Sequence, residues 1–92
     1  MNILMLGIDH TCATIEERAV FSFTKKAASD FLVNFINTKE VLGCILISTC
    51  NRMELWVSMK EGYEDSPYEM LCDYKGVNPE KYRSIFKKRT GC

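Results

Sequence analysis

Ile3 to Ile8 is an unbroken apolar run, the pattern of a strand covered on at least one face and flanked by neighbours. Gly7 and Asp9 are expected to loosen it into a loop. Thr14-Ile-Glu-Glu17 then has the spacing of a capping box, in which a hydroxyl and a carboxylate satisfy exposed backbone donors, so a short helix should run to about Val20. Phe21 and Phe23 read as core residues. From Lys25 to Asn37 the apolar positions are 27, 28, 31, 32, 35 and 36, two adjacent i, i+4 rows on one helical face. Gly43 opens a second strand, Cys44 to Ser48, and a third with alternating apolar residues (Met53, Leu55, Val57, Met59) follows. Residues 61–65 read as loop.

Ser66-Pro67-Tyr68-Glu69 joins an N-cap, a proline at the first helical position and a capping-box glutamate, which predicts a helix ending near Gly76. Asn78-Pro79 repeats the signal for a turn or two. Ser84 to Thr90 reads as a last strand with basic outward residues. The order β, α, β, β, α, β is that of a ferredoxin-like α+β sandwich, an antiparallel sheet of order 4-1-3-2 with helices on one face. The short helix after the first strand is extra to that pattern. In this topology the ends of strands one and two and the start of strand three share one edge, so His10 and Cys50 fall at the same end.

Ninety-two residues suit a single domain with a modest core, too small to add a dinucleotide-binding βαβ unit. With 47% apolar and 26% charged residues the chain is globular in composition, and it has no run of about 18 apolar residues that would span a membrane. Its first residues lack the basic region and cleavage pattern of a signal peptide, so a cytoplasmic location is the default. The five cysteines (12, 44, 50, 72 and 92) form no Cys-x-x-Cys pair, and with one histidine they give no metal-site spacing. Reduced thiols and no metal are expected. Twelve basic and twelve acidic side chains cancel, so no global field draws the domain to RNA. The basic group Lys81, Arg83, Lys87, Lys88 and Arg89 is more often a solvated edge than a phosphate contact.

The chemistry concentrates at Ser48-Thr49-Cys50-Asn51-Arg52-Met53-Glu54, a polar corner between two strands. A thiol becomes a strong nucleophile when a nearby positive charge stabilises its thiolate, and Arg52 lies two residues from Cys50. The planar fork of Arg52 equally suits a carboxylate. Thr49, Cys50 and Arg52 thus outline an acyl-transfer site for an acidic substrate. From spacing alone, a small buried cysteine and a solvated turn arginine are the commoner arrangement.

A longer pattern bears on that choice. Leu46-Ile-Ser-Thr-Cys-Asn-Arg-Met-Glu-Leu55 resembles the signature of glutamyl-tRNA reductase, the NADPH-dependent family that begins tetrapyrrole (porphyrin and heme) synthesis. Gly7-Ile8-Asp9-His10-Thr11, with Ile15-Glu16, Arg18 and Phe21-Ser22, is similar to that family's N-terminal motif at the matching distance from the cysteine. Asp9 stands for the usual Asn, Cys12 for the usual Thr and Thr14 where Pro is common. None of these departures removes a residue that the resemblance assigns to chemistry.

The resemblance implies that residues 1–92 are the N-terminal catalytic, glutamate-recognition domain of a longer enzyme, with the NADPH-binding and dimerisation domains elsewhere. It makes Cys50 the nucleophile that takes glutamate from its tRNA as a thioester, which NADPH then reduces to glutamate-1-semialdehyde. Thr49 and Asn51 would hydrogen-bond the substrate and Arg52 would hold the glutamate carboxylate. His10 is a supporting candidate, although a lone histidine at a strand end is more often structural. A further histidine important in the family is expected beyond residue 92. The implied partners are glutamyl-tRNA, a downstream aminomutase and a second copy in a homodimer, with no membrane. Two rivals remain: a freestanding ferredoxin-like RNA- or ligand-binding module, whose usual motif of stacking aromatics is not found in the third strand with its one tryptophan, and a thiol-dependent hydrolase.

Overall fold

The computed structural model describes residues 2–38, 40–49, 51–60, 62–63 and 66–91. Its elements are β1 (Asn2–Asp9), α1 (Ile15–Val20), α2 (Lys25–Ile36), β2 (Val41–Ser48), β3 (Arg52–Met59), α3 (Ser66–Lys75), α4 (Pro79–Tyr82), a 3-10 turn (Arg83–Ile85) and β4 (Lys87–Gly91). The sheet has order β2-β3-β1-β4 with every neighbouring pair antiparallel, which is the expected 4-1-3-2 order read from the other edge.

The alternation of β3 decides which face is covered. Met53, Leu55, Val57 and Met59 are buried, and their register partners Ile8, Leu6 and Leu4 on β1 point the same way. Phe31 and Phe35 of α2 and Tyr68, Leu71 and Cys72 of α3 complete that core, each large apolar side chain contributing about 1.5–3 kcal/mol by leaving water. Both helices therefore sit on one face. On the other, Ile45, Trp56 and Met5 form one cross-strand row, with Ile45 largely and Trp56 partly exposed.

Local signals account for the helix limits. Thr14 and Glu17 form the predicted capping box, and the Thr24 side chain accepts from Ala27 N at 3.1 Å to start α2. The helix α3 ends at Gly76, whose φ of 69° is open to a residue without Cβ. There Gly76 N donates to Asp73 O and Val77 N to Cys72 O, the paired bonds of a Schellman cap.

Three boundaries differ from the sequence reading. First, β1 does not loosen at Gly7: the strand continues to Asp9, with Gly7 paired to Glu54 on one side and Lys87 on the other. A Cβ at Gly7 would come within 3.3 Å of Met53 O, so the glycine permits close strand approach. Second, β2 starts at Val41, because a bulge between Val41 and Gly43 lets Val41 pair with Met59 and enter the core. Third, residues 84–86 are not strand. The Asn78-capped turn carries on into a 3-10 segment, and Phe86 meets Phe21 edge-to-face at 4.8 Å between centroids.

Candidate active site

The corner between β2 and β3 is held by Thr49. Its Oγ1 accepts from Asn51 N and Arg52 N, each at 3.2 Å, and its own N donates to Arg52 O at 2.8 Å. A threonine hydroxyl folds its own turn in this way, so Thr49 shapes the corner rather than presenting an idle hydroxyl. Ser48 is also engaged: its Oγ accepts from Phe23 N at 3.2 Å, tying the end of β2 to the segment between α1 and α2. On its far side that segment is held by Lys75, whose Nζ donates to Ser22 O and lies 3.9 Å above the Phe23 ring.

Because the 21–24 segment is tied down, α1 is carried over the corner. Arg18 reaches across from α1: its Nη1 donates to Asn51 O and its Nε to Thr14 O, both at 3.4 Å. Between helix and corner opens a pocket of about 380 Å³. Ile8 and Met53 form its floor, Arg18, Ala19 and Ser22 one wall, and Thr49, Asn51 and Arg52 the other. Among the described residues none that lines it is acidic.

Of the sequence candidates, the structure brings Thr49, Asn51 and Arg52 to this pocket. Cys50 lies outside the described residues. His10 follows Asp9, whose register partner is Arg52, so it stands at the same sheet end as the corner but does not line the pocket. Arg18 was matched only as part of a motif, and the sequence carried no sign that it would meet residue 51.

The first motif has a second function at this edge. Asp9 accepts from Thr11 through both the side-chain hydroxyl and the backbone N, and from Lys87 Nζ at 3.1 Å. The Thr11 hydroxyl, the Thr11 N–H and the Lys87 ammonium, in that order, hold the Asp9 carboxyl well below the usual carboxylate range. Cys12 closes the loop, its Sγ accepting from Asp9 N at 3.4 Å. Cys44 and Cys72 lie in the core layer, where burial raises both thiols. Among the described residues no three His, Cys, Asp or Glu side chains are gathered as a metal site, and no helix is long and apolar enough to cross a membrane.

Comparison with known proteins matches residues 6–92 to the family described as glutamyl-tRNAGlu reductase, N-terminal domain. The glutamyl-tRNA reductase of Acetivibrio thermocellus is 40% identical over 91 residues, covering 99% of this chain and 28% of the relative. That of Alkaliphilus oremlandii is 36% identical over 91 residues, with 99% and 27% covered. The chain thus spans about a quarter of the length of these relatives. Among solved structures, glutamyl-tRNA reductase from Methanopyrus kandleri superposes with a TM-score of 0.57 at 24% identity, over 75% of this chain and 16% of that one, a likeness of fold.

Proposed function

The chain belongs to the glutamyl-tRNA reductase N-terminal domain family, and we propose that it supplies the nucleophile and the glutamate recognition of an enzyme that reduces glutamyl-tRNA to glutamate-1-semialdehyde for tetrapyrrole synthesis. The observation that carries this reading is the meeting of the two separated motifs at one pocket, where Arg18 of the first bonds Asn51 of the second at 3.4 Å.

In this reading the Cys50 thiolate attacks the ester carbonyl that joins glutamate to the 3′ ribose. The tetrahedral adduct collapses by breaking the bond to the ribose oxygen, which takes up a proton as tRNA leaves, and a thioester remains. A thioester accepts hydride more readily than an ester or a carboxylate, which is the reason to pass through sulfur. Arg52 holds the glutamate side-chain carboxylate, Asn51 supplies a further hydrogen bond at the pocket wall, and Thr49 fixes the corner that presents them. His10 is a supporting group at the same sheet end.

The reductant is NADPH, which supplies the hydride. The residues here do not fit a dinucleotide: the sheet is antiparallel throughout, and the glycines at 7, 43, 62, 76 and 91 form no Gly-x-Gly-x-x-Gly turn. Hydride delivery is therefore assigned to the portion of the longer relatives outside this domain. The same reading makes the whole protein a cytoplasmic homodimer that passes its aldehyde to an aminomutase.

The test is an acid quench of the full-length chain incubated with glutamyl-tRNA and no reductant, followed by peptide mass mapping. A hydroxylamine-labile glutamyl adduct is expected on Cys50 and absent from Cys50→Ala. An adduct on another cysteine, or none on the wild-type chain, would overturn the reading.

A further inference from the structure

We propose that Arg18 forms a phosphate subsite beside the glutamate site, taking the phosphodiester nearest the 3′ end of the aminoacylated RNA; this rests on the reading of the pocket as a glutamyl-tRNA site. Among the described residues the pocket is lined by two arginines and by no acidic side chain. One guanidinium fork satisfies one carboxylate, so a ligand whose only anion is a glutamate side chain leaves the second cation without a counter-charge. An RNA-linked glutamate has another anion a few bonds from the ester, on the far side of the terminal ribose.

Arg18 is placed for that second charge. Its guanidinium is anchored at two points, Nε on Thr14 O and Nη1 on Asn51 O, which fixes it over the residue next to Cys50. These bonds use two of its five N–H donors, and the other three have no partner among the described residues. A guanidinium held by neutral carbonyls keeps its full charge for a ligand, and both anchors come from backbone, so it is positioned without being neutralised. Arg52 lines the same pocket from β3, so one ligand seated there meets two guanidiniums carried by separate elements.

The test uses the stable amide of glutamate with 3′-amino-3′-deoxyadenosine, with and without a 5′-phosphate, and the glutaminyl versions of both. Binding to the full-length chain is measured by calorimetry. The 5′-phosphate should tighten binding to the wild-type chain about tenfold, as expected for a charged hydrogen-bonded contact. Arg18→Ala should abolish that increment, Arg18→Lys should keep part of it as a point charge, and Arg52→Ala should weaken both glutamyl compounds alike while leaving the increment intact. Equal wild-type affinity for the two compounds, or an increment that survives Arg18→Ala, overturns the subsite. If the increment depends on Arg18 but glutaminyl and glutamyl compounds bind equally, the phosphate subsite stands and the glutamate reading fails. Matching thermal unfolding of Arg18→Ala and wild type confirms that a loss is local.

Discussion

Asp9 and Arg52 stand directly opposite each other on adjacent antiparallel strands, yet the Asp9 carboxylate turns to Lys87 Nζ at 3.1 Å instead. Opposite charges at facing positions ordinarily attract. Here Lys87 and Thr11 occupy both Asp9 oxygens, and among the described residues Arg52 is left without an ion pair. An acidic residue where the family commonly has Asn is in this way kept from capping the guanidinium proposed to hold substrate. Lys87→Met should release Asp9 toward Arg52 and weaken binding of a glutamyl ligand several-fold. Adding Asp9→Asn should restore it. Calorimetry on the single and double variants checks this, and a single variant with unchanged affinity would disconnect Lys87 from the site.

The same contacts set a pH dependence. The Thr11 hydroxyl and N–H, then Lys87, lower the folded-state pKa of Asp9 below its unfolded value of about 3.9. The stabilisation from Asp9 is therefore fully present above that unfolded value and is lost only as pH falls through the lower folded one. In a carboxyl-carbon NMR titration, Asp9 should remain ionised at pH 3, where exposed aspartates are mostly protonated. A midpoint near 4 would mean that the Thr11 and Lys87 contacts do not persist in solution.

Phe21 joins the site to the core. It is fully buried and meets Tyr82 and Phe86 edge-to-face, at 5.2 and 4.8 Å between ring centroids. Phe21→Ala should cost about 3–5 kcal/mol, a large share of the roughly 5–15 kcal/mol available to a small domain. Phe21→Leu should cost less, because it keeps most of the volume. Urea unfolding midpoints of the three proteins would rank them. Equal midpoints for Ala and Leu would show that this cluster carries little of the stability.

The elements that the sequence announces most clearly are those with local causes. The α2 stripe is legible because residues 27, 28, 31, 32, 35 and 36 share a face whatever lies opposite, and Phe31 and Phe35 do reach the core. The Thr14 cap and the Gly76 stop are equally local. What escaped reading depends on distant partners. Residues 84–86 have strand-like composition, but Phe86 gains more by packing on Phe21 and Tyr68 than by extending a ladder. Gly7 looks like a breaker until its neighbours are seen to need the space. Arg18 could be matched to a motif but not given a contact, since its bond to Asn51 spans 33 residues.

The thiols should differ sharply in reactivity. Cys72 is fully buried and Cys44 half-buried, and burial raises both, which leaves little thiolate at neutral pH. The Cys12 sulfur is engaged with Asp9. Cys50 lies two residues from Arg52 in the sequence, between Thr49 and Asn51, which are both exposed. With limiting iodoacetamide at pH 7, mass mapping should find Cys50 alkylated first and Cys72 last. Early modification of Cys72 or Cys12 with Cys50 protected would remove the physical basis for its role as nucleophile.

Arg52 has two separable contributions, and one substitution divides them. In the proposed role it would favour the Cys50 thiolate as a charge two residues away, and would grip a carboxylate as a planar fork with two parallel hydrogen bonds. Arg52→Lys retains the charge and loses the fork. Thiol reactivity, read as the alkylation rate of Cys50 against pH, should therefore change by no more than about twofold, because a point charge at similar range does the same work on the thiolate. Affinity for the glutamyl amide of 3′-amino-3′-deoxyadenosine should fall about tenfold, the worth of one charge-assisted hydrogen bond. The glutaminyl compound supplies the control, since it never used the fork as a carboxylate clamp and should bind both proteins alike. If the alkylation rate collapses while the two affinities hold, Arg52 serves the thiol alone, and recognition of the glutamate carboxylate must come from another residue.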